Sequence, residues 1–260
     1  MTREVPKYPT GKNLLAGKNV LITAAAGTGI GFSVAKRCAE EGARVMISDI
    51  HERRLAEAVD GVVAVSTTPV ASCLCNVTSE DDVQKLWQKA SRELGHVDVL
   101  INNAGLGGFS PLVDMTDDQW NVVLDVTLNG TMRMTRAAMR HMMPRKSGVI
   151  VNNASVLGWR AQPGQAHYAA AKAGVMALTR CAAMEAAEAG VRVNAVAPSL
   201  AMHKFLEKVT PDGLLEELVA KEAFGRAAEP WEVANVMIFL ASDYSTYMTG
   251  EIVAVSSQRA

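Results

Sequence analysis

Three residues that can bind and protonate a substrate oxygen lie within one stretch of the chain: Ser155, Tyr168 and Lys172. Tyr168 and Lys172 occupy positions i and i+4 of an alanine-rich run that favours an α-helix, so the phenol and the ammonium share one helix face. A nearby cation favours the phenolate and lowers the pKa of a tyrosine from its usual value near 10. The pattern predicts a phenol that exchanges a proton with a substrate oxygen, which the Ser155 hydroxyl, at the end of the preceding apolar strand, also holds.

A glycine-rich turn near the N-terminus predicts where a dinucleotide binds. An apolar strand over residues 19–23 runs into the sequence AAAGTGIG, and a helix over about residues 30–41 and a second strand follow. This order of elements binds a pyrophosphate at a helix N-terminus. Gly29 lets the backbone approach the phosphates, Gly31 lets helix and strand pack closely, and Gly27 is a candidate for the turn itself. The predicted contacts in this unit are Thr23, Ala25, Gly27, Thr28, Gly29, Ile30 and Gly31.

Asp49 ends the second strand and predicts the choice of cofactor. A carboxylate at this position accepts hydrogen bonds from the adenosine ribose of NAD and repels a 2′-phosphate. Ile50 follows it and is a further predicted contact. Arg53 and Arg54 come next. Their position is typical of a solvated first turn of a helix, but either arginine could turn toward a phosphate. NAD is therefore the predicted cofactor and NADP the alternative.

The length, composition and net charge of the chain limit the class of protein to which it can belong. Its 260 residues, 49% of them hydrophobic, suit one large α/β domain over residues 14–260 after a polar arm of residues 1–13. A net charge of −1 gives no reason to expect a nucleic acid partner. We find no signal core and no stretch long enough for a bilayer, so we expect no membrane partner and a cytoplasmic protein. The four cysteines lack the spacing of a zinc site, and no metal is predicted.

Taken together, the strand-end serine, the Tyr-x-x-x-Lys pair and the glycine-rich turn resemble the short-chain dehydrogenase/reductase (SDR) family over about residues 14–255. The resemblance implies one doubly wound Rossmann-type α/β domain with a mainly parallel sheet of about seven strands. It implies that Tyr168 is the general acid or base and that Ser155 binds the reacting oxygen. Lys172 would tune the phenol and hold the nicotinamide ribose. The further contacts that it implies for the cofactor are Asn76, Val77, Asn103, Ala104, Gly105, Pro198, Ser199, Leu200 and His203, together with Tyr168 and Lys172.

The chain departs from the family pattern at several of these positions. Ala24 stands where the family has the first glycine, and one extra residue precedes Gly29. The fourth catalytic residue of the family is an asparagine in the setting Asn-Leu-x-Gly, and here that position is Thr127. Its hydroxyl could hold the water of the proton relay in place of the asparagine. His203 replaces the threonine that usually covers the nicotinamide.

The substrate is expected to be a low-molecular-weight compound with a bulky apolar or alicyclic group. Residues 200–225 would form a lid, and the residues predicted to contact the substrate are Val156, Trp159, Met202 and Phe205. The whole chain resembles actinobacterial members that act on breakdown products of steroid rings, which implies lipid metabolism and a ring ketone or its CoA thioester. Three alternatives stay open: a 3-hydroxyacyl thioester dehydrogenase, an NADP-dependent 3-oxoacyl reductase, and a regulator that binds NAD(P) without catalysis. The resemblance also implies a homotetramer or homodimer built on the helices that contain Thr127 and Lys172.

Overall fold

Seven parallel strands form one sheet in the structure, a computed structural model that describes residues 3–203, 206 and 213–258. In chain order the strands are β1 Asn19–Ile22, β2 Arg44–Asp49, β3 Ala71–Leu74, β4 Val99–Asn102, β5 Gly148–Asn153, β6 Val191–Pro198 and β7 Ile252–Val255. Their order in space is β3-β2-β1-β4-β5-β6-β7. The winding therefore reverses between β1 and β4, and a crevice for a ligand forms beyond the carboxyl ends of these strands. The predicted doubly wound α/β fold is confirmed.

The described part of the chain contains eight α-helices. They are α1 Ile30–Glu40, α2 Glu52–Val63, α3 Glu80–Leu94, α4 Asp117–Leu124, α5 Gly130–Met142, α6 Ala166–Ala186, α7 Leu214–Lys221 and α8 Pro230–Ala241. A π-helical turn, Asp125–Asn129, joins α4 to α5 without a break. Among the described residues, no helix combines the length and the apolar character needed to cross a membrane.

The core has two layers because the strands are buried on both faces. Along β1, Val20 and Ile22 belong to the cluster that packs against α1 and α8, whereas Leu21 belongs to the cluster on the opposite face with α3 and α5. The same alternation recurs in β4, where Val99 and Ile101 belong to the first cluster and Leu100 belongs to the second. Successive strand residues point to opposite faces, so a continuous apolar run serves both layers and fixes the sheet between them.

The N-terminal segment, residues 3–13, lies against the end of α1 without forming a helix or a strand. The Tyr8 hydroxyl donates to Glu40 Oε2 at 2.7 Å, and the Lys12 N–H donates to Glu41 Oε2 at 2.8 Å. Glu41 is itself buried beside Arg37, with 2.6 Å between Oε1 and Nη2. The boundary of the domain at residue 14 stays a prediction.

Candidate active site

The start of α6 brings together the three residues that we expect to do the chemistry. Ser155 follows β5 and caps a short 3₁₀ turn, where its Oγ accepts from the Leu157 N–H at 3.2 Å. Burial of the Tyr168 phenol raises its pKa to about 12, and the Ser155 hydroxyl acts in the opposite direction because it favours the phenolate. The pair can therefore offer a proton to an oxygen placed between them.

Lys172 lies one turn further along α6 and is 3% exposed. Its Nζ donates to the Asn153 carbonyl oxygen at 2.5 Å and lies 5.5 Å from the centre of the Tyr168 ring. Burial lowers the pKa of the ammonium to about 8. The sequence predicts that Lys172 lowers the pKa of Tyr168. The pKa of the phenol is raised instead, because burial removes the water that would solvate the phenolate.

Thr127 lies in the π-helical turn with its side chain completely buried. Its hydroxyl accepts from the Leu106 N–H at 2.9 Å and donates to the Leu106 carbonyl oxygen at 3.0 Å. The Thr131 hydroxyl donates to the Thr127 carbonyl oxygen at 2.7 Å. The Thr127 hydroxyl therefore fastens the loop after β4, because it gives its only proton to a backbone carbonyl. That Thr127 also holds the water of the proton relay stays a prediction.

A chain of hydrogen bonds links the lysine to the phosphate-binding turn. The Asn153 Nδ2 donates to Asn103 Oδ1 at 3.0 Å, and the Asn103 Nδ2 donates to the Ala24 carbonyl oxygen at 2.9 Å. The N–H groups of Asn103 and Ala104 both donate to Thr23 Oγ1. Sequence reasoning missed the side chain of Asn153, although its place two residues before Ser155 was a usable signal.

The turn between β1 and α1 has the features that a pyrophosphate requires. Ala24 has a φ of 50° and Gly27 a φ of 93°, so an alanine takes the left-handed conformation at the position of the family's first glycine. A side chain on Gly31 would overlap the Ala24 carbonyl oxygen and the Asn103 Nδ2. Gly29 caps α1 without a side chain, which leaves the backbone at this helix N-terminus free to approach an anion. The turn therefore fits a dinucleotide, with Thr28 and Ile30 flanking Gly29.

His203 lies over this same turn. Its ring atoms are 3.7 to 3.9 Å from the point where a Cβ on Gly29 would stand, and its Nδ1 accepts from the Leu206 N–H at 3.3 Å. Pro198 and Ser199, at the end of β6, and the buried Leu200 lead the chain to this position. The predicted cofactor contact His203 is thus brought beside the helix N-terminus.

Asp49 lies at the end of β2 beside the turn. Its Oδ2 accepts from the Ala26 N–H at 3.2 Å and its Oδ1 accepts from the His51 N–H at 3.0 Å. Burial raises the pKa of the carboxyl, while the charge of Arg54 acts in the opposite direction. Arg53 points away into an exposed ion pair with Glu57 at 2.8 Å. The carboxylate keeps lone pairs for a ribose, with Arg54 as the nearby cation.

The remaining predicted contacts fall into different environments. Asn76 Oδ1 accepts from the Thr78 N–H and hydroxyl, and Val77 is buried against Gly130. Ile50 is 58% exposed beyond β2. Ala25 is completely buried, and its N–H donates to the Ser48 carbonyl oxygen. Its side chain therefore stabilises the turn from within the core.

The residues predicted to contact the substrate also lie in different environments. Val156 is buried, whereas Trp159 is 53% exposed. Met202 lines a cavity of about 410 Å³ together with residues of α7. Phe205 lies outside the described residues. Within the described ranges, no cluster of His, Cys, Asp and Glu side chains is arranged to hold a metal ion.

Comparison with known proteins shows what the chain is similar to. A family model described as enoyl-(acyl carrier protein) reductase matches residues 24–257. A Mycobacterium tuberculosis protein, (5R,7aS)-5-hydroxy-7a-methyl-1-oxo-2,3,5,6,7,7a-hexahydro-1H-indene-carboxyl-CoA reductase, is 59% identical over 97% of both chains. The 3-oxoacyl-[acyl-carrier-protein] reductase FabG of Thermotoga maritima is 38% identical, over 93% of this chain and 97% of its own. The crystal structure of a short chain dehydrogenase from Mycobacterium smegmatis matches with a TM-score of 0.88 at 57% identity, over 99% of both chains.

Proposed function

The chain belongs to the short-chain dehydrogenase/reductase family and is therefore an oxidoreductase, and we propose that it interconverts a secondary alcohol and a ketone on a fused-ring CoA thioester. The observation that supports a ring and a thioester in the substrate is the 59% identity to a mycobacterial reductase. The name of that reductase specifies a hexahydroindene and a carboxyl-CoA. A ring of this kind fits the steroid-derived substrate that the sequence suggested. The acyl-carrier-protein reductases are more distant, at 38% identity, and remain the second candidate.

In the proposed reaction, the protein supplies position and a proton. The turn before α1 would hold the pyrophosphate of a nicotinamide dinucleotide and Lys172 its nicotinamide ribose, and the cofactor would supply or accept the hydride. During reduction Tyr168 donates its proton to the carbonyl oxygen, and during oxidation it takes the proton back from the alcohol. Ser155 donates a hydrogen bond to the same oxygen and so favours the charge that develops there.

An absorbance assay of NADH oxidation tests this function. We expect steady turnover with a CoA thioester that carries a fused six–five ring ketone, and kcat/KM at least about tenfold lower with acetoacetyl-CoA. The opposite preference would support the 3-oxoacyl reductase. Tight binding of NADH without turnover of either ketone would support a regulator.

NAD is the proposed cofactor because of Asp49. With NADP, this largely buried carboxylate would face a phosphate at hydrogen-bonding range, and a charged hydrogen bond is worth about 1.5–3 kcal/mol. We therefore expect NADH to exceed NADPH in kcat/KM by about 10- to 100-fold, and Asp49→Ser to remove most of this difference. Arg54, whose charge already acts on Asp49, would then be available to a phosphate.

The matched control for that variant is Glu52→Ser, which removes an exposed carboxylate from the first turn of α2. It should leave the ratio of the two cofactors within about twofold, because a solvated charge is screened. A wild-type enzyme that uses both cofactors equally, or prefers NADPH, would contradict the proposed role of Asp49.

We also propose a cytoplasmic homotetramer or homodimer that pairs through α5 and α6. The proposal rests on the resemblance to the family, and Met184, which is 79% exposed on α6 in the single chain, is an apolar side chain that pairing through this helix would cover. Sedimentation equilibrium of the wild type and of Met184→Glu tests the proposal. A dissociated variant would support it, and a monomeric wild type would contradict it.

A further inference from the structure

The loop after β4 runs alongside the beginning of α6 and turns three glycines toward its reactive side chains. A Cβ on Gly105 would lie 3.3 Å from Lys172 Nζ, and a Cβ on Gly107 would lie 3.6 Å from Cδ2 of the Tyr168 ring. A Cβ on Gly108 would lie 3.1 Å from Nε2 of His167. We call Gly105, Gly107 and Gly108 the glycine face.

The glycine face is fixed in place at both ends. Thr127 holds the N–H and the carbonyl of Leu106, as described above. At the other end the Ser110 N–H donates to the Gly164 carbonyl oxygen at 3.0 Å, and the Phe109 ring packs so closely on Gly164 that a Cβ there would stand 2.5 Å from it. The loop therefore cannot move away from α6 without breaking these contacts.

Gly107 differs from Gly105 and Gly108 because neither its backbone conformation nor its packing requires a glycine. Its φ is not positive, so the backbone conformation does not require glycine. Packing does not require it either, since the nearest atoms of the described residues to a Cβ would be the Tyr168 ring edge at ordinary van der Waals distance. At Gly105 and Gly108, by contrast, a Cβ would meet a neighbour at 3.3 Å or less.

We propose that Gly107 is a specificity-determining residue: its missing side chain leaves room beside Tyr168 for the second ring of a fused-ring ketone. One ring places its carbonyl at the phenol, and the other occupies the space that Gly107 leaves open beside the Tyr168 ring. This inference rests on the proposed function and deepens it. The outer part of the same loop fits an apolar substrate, since Leu112 and Val113 are 66% and 92% exposed.

The test compares two substrates that share the CoA thioester and differ only in the ketone. They are the fused six–five ring thioester and acetoacetyl-CoA, assayed with the wild type, Gly107→Ala and Gly107→Val. We expect the ratio of kcat/KM, ring substrate over acyclic substrate, to fall by about tenfold with alanine and further with valine, because one added methyl in a pocket is worth about 10- to 200-fold. The Kd for NADH should stay within about twofold, which also shows that each variant is folded.

Gly108→Ala is the matched control, because it adds the same methyl one residue away and directs it at His167. It should keep the ratio of the wild type within about twofold. Equal losses on both substrates in Gly107→Ala, or an unchanged ratio, would overturn the inference while leaving the proposed function intact. A wild type that reduces neither ketone would overturn the proposed function itself, and the inference with it.

Discussion

The loop after β4 and the segment after β6 are built in opposite ways. The loop is fixed by hydrogen bonds to a buried side chain, the hydroxyl of Thr127, which holds the half-buried Leu106. The segment leads into α7, Leu214–Lys221, where no residue is buried, and it is joined to the body by a bridge between Ala201 and Ala228. Hydrogen bonds fix the positions of atoms to fractions of an ångström. A half-buried apolar helix instead supplies apolar surface that a substrate can contact. We infer that the first region determines the chemical step and that the second contributes to substrate affinity.

The substitution Tyr168→Phe should have the largest effect, on the side of the chemical step. The ring and its packing remain and only the proton carrier is lost, so kcat should fall by about 10²- to 10⁴-fold. The Kd for NADH should stay within about twofold by isothermal titration. Tyr8→Phe, which also removes a hydrogen-bonded phenol, is the control and should keep kcat. A Tyr168→Phe enzyme with more than half of the activity would remove Tyr168 from the mechanism.

Thr127→Val tests whether fixing the loop matters for the chemical step. Valine keeps the shape but leaves the N–H and the carbonyl of Leu106 without partners, which should cost about 1–3 kcal/mol in the free energy of unfolding. We expect kcat to fall by about tenfold as the glycine face loses its position beside Tyr168. Thr135→Val removes a buried hydroxyl from α5 that accepts from Asn102; it should cost similar stability and keep kcat. Equal kcat in the two variants would mean that Thr127 has a structural role only.

The pH dependence of stability tests how far burial dominates around Lys172. Its folded-state pKa of about 8 lies below the ordinary 10.5, so between these values the unfolded chain binds more protons than the folded one. The contribution of Lys172 to stability, measured as the difference between the wild type and Lys172→Met, should therefore be lowest below pH 8 and rise between pH 8 and about pH 10, by up to about 1.4 kcal/mol per pH unit. Lys172→Met should lack this rise in urea titrations without cofactor. Parallel curves for the two proteins would show that the ammonium is better solvated than its burial indicates.

The same variant carries a kinetic expectation. Lys172→Met removes a charge near the phenol and a donor to the nicotinamide ribose, so the pH–rate profile of the remaining oxidation should move to higher pH. An unmoved profile with normal NADH binding would place Lys172 outside the proton transfer.

The smallest effects are expected in α7. Leu215 lines the cavity beside Met202, and Leu218 of the same helix does not. Leu215→Ala should raise KM for the ring substrate by about two- to fivefold through lost apolar contact and keep kcat within about twofold. Leu218→Ala should leave both constants near those of the wild type. A fall in kcat of Leu215→Ala comparable to that of Thr127→Val would erase the distinction between the two regions.

The class of fold and the candidate reactive residues could be predicted from local sequence patterns. The order of strand, glycine-rich turn, helix and strand predicted the first unit, and the spacing of Tyr168 and Lys172 predicted a shared helix face. These predictions depend on periodicity and local sterics, which act between residues close in the chain. The doubly wound sheet and the family are confirmed, and the roles of the individual site residues stay proposals.

The way in which those residues are held depends on contacts that form only on folding. The partner of the Thr127 hydroxyl is a backbone unit on another loop, and Asn153 joins the lysine to the turn before α1. The pKa of Tyr168 is raised, although its helical neighbour predicted the opposite. Hydrogen-bond partners and loss of water depend on segments that are distant in sequence and meet only on folding. No local pattern records them, and for that reason the space beside Gly107 became visible only in the folded chain.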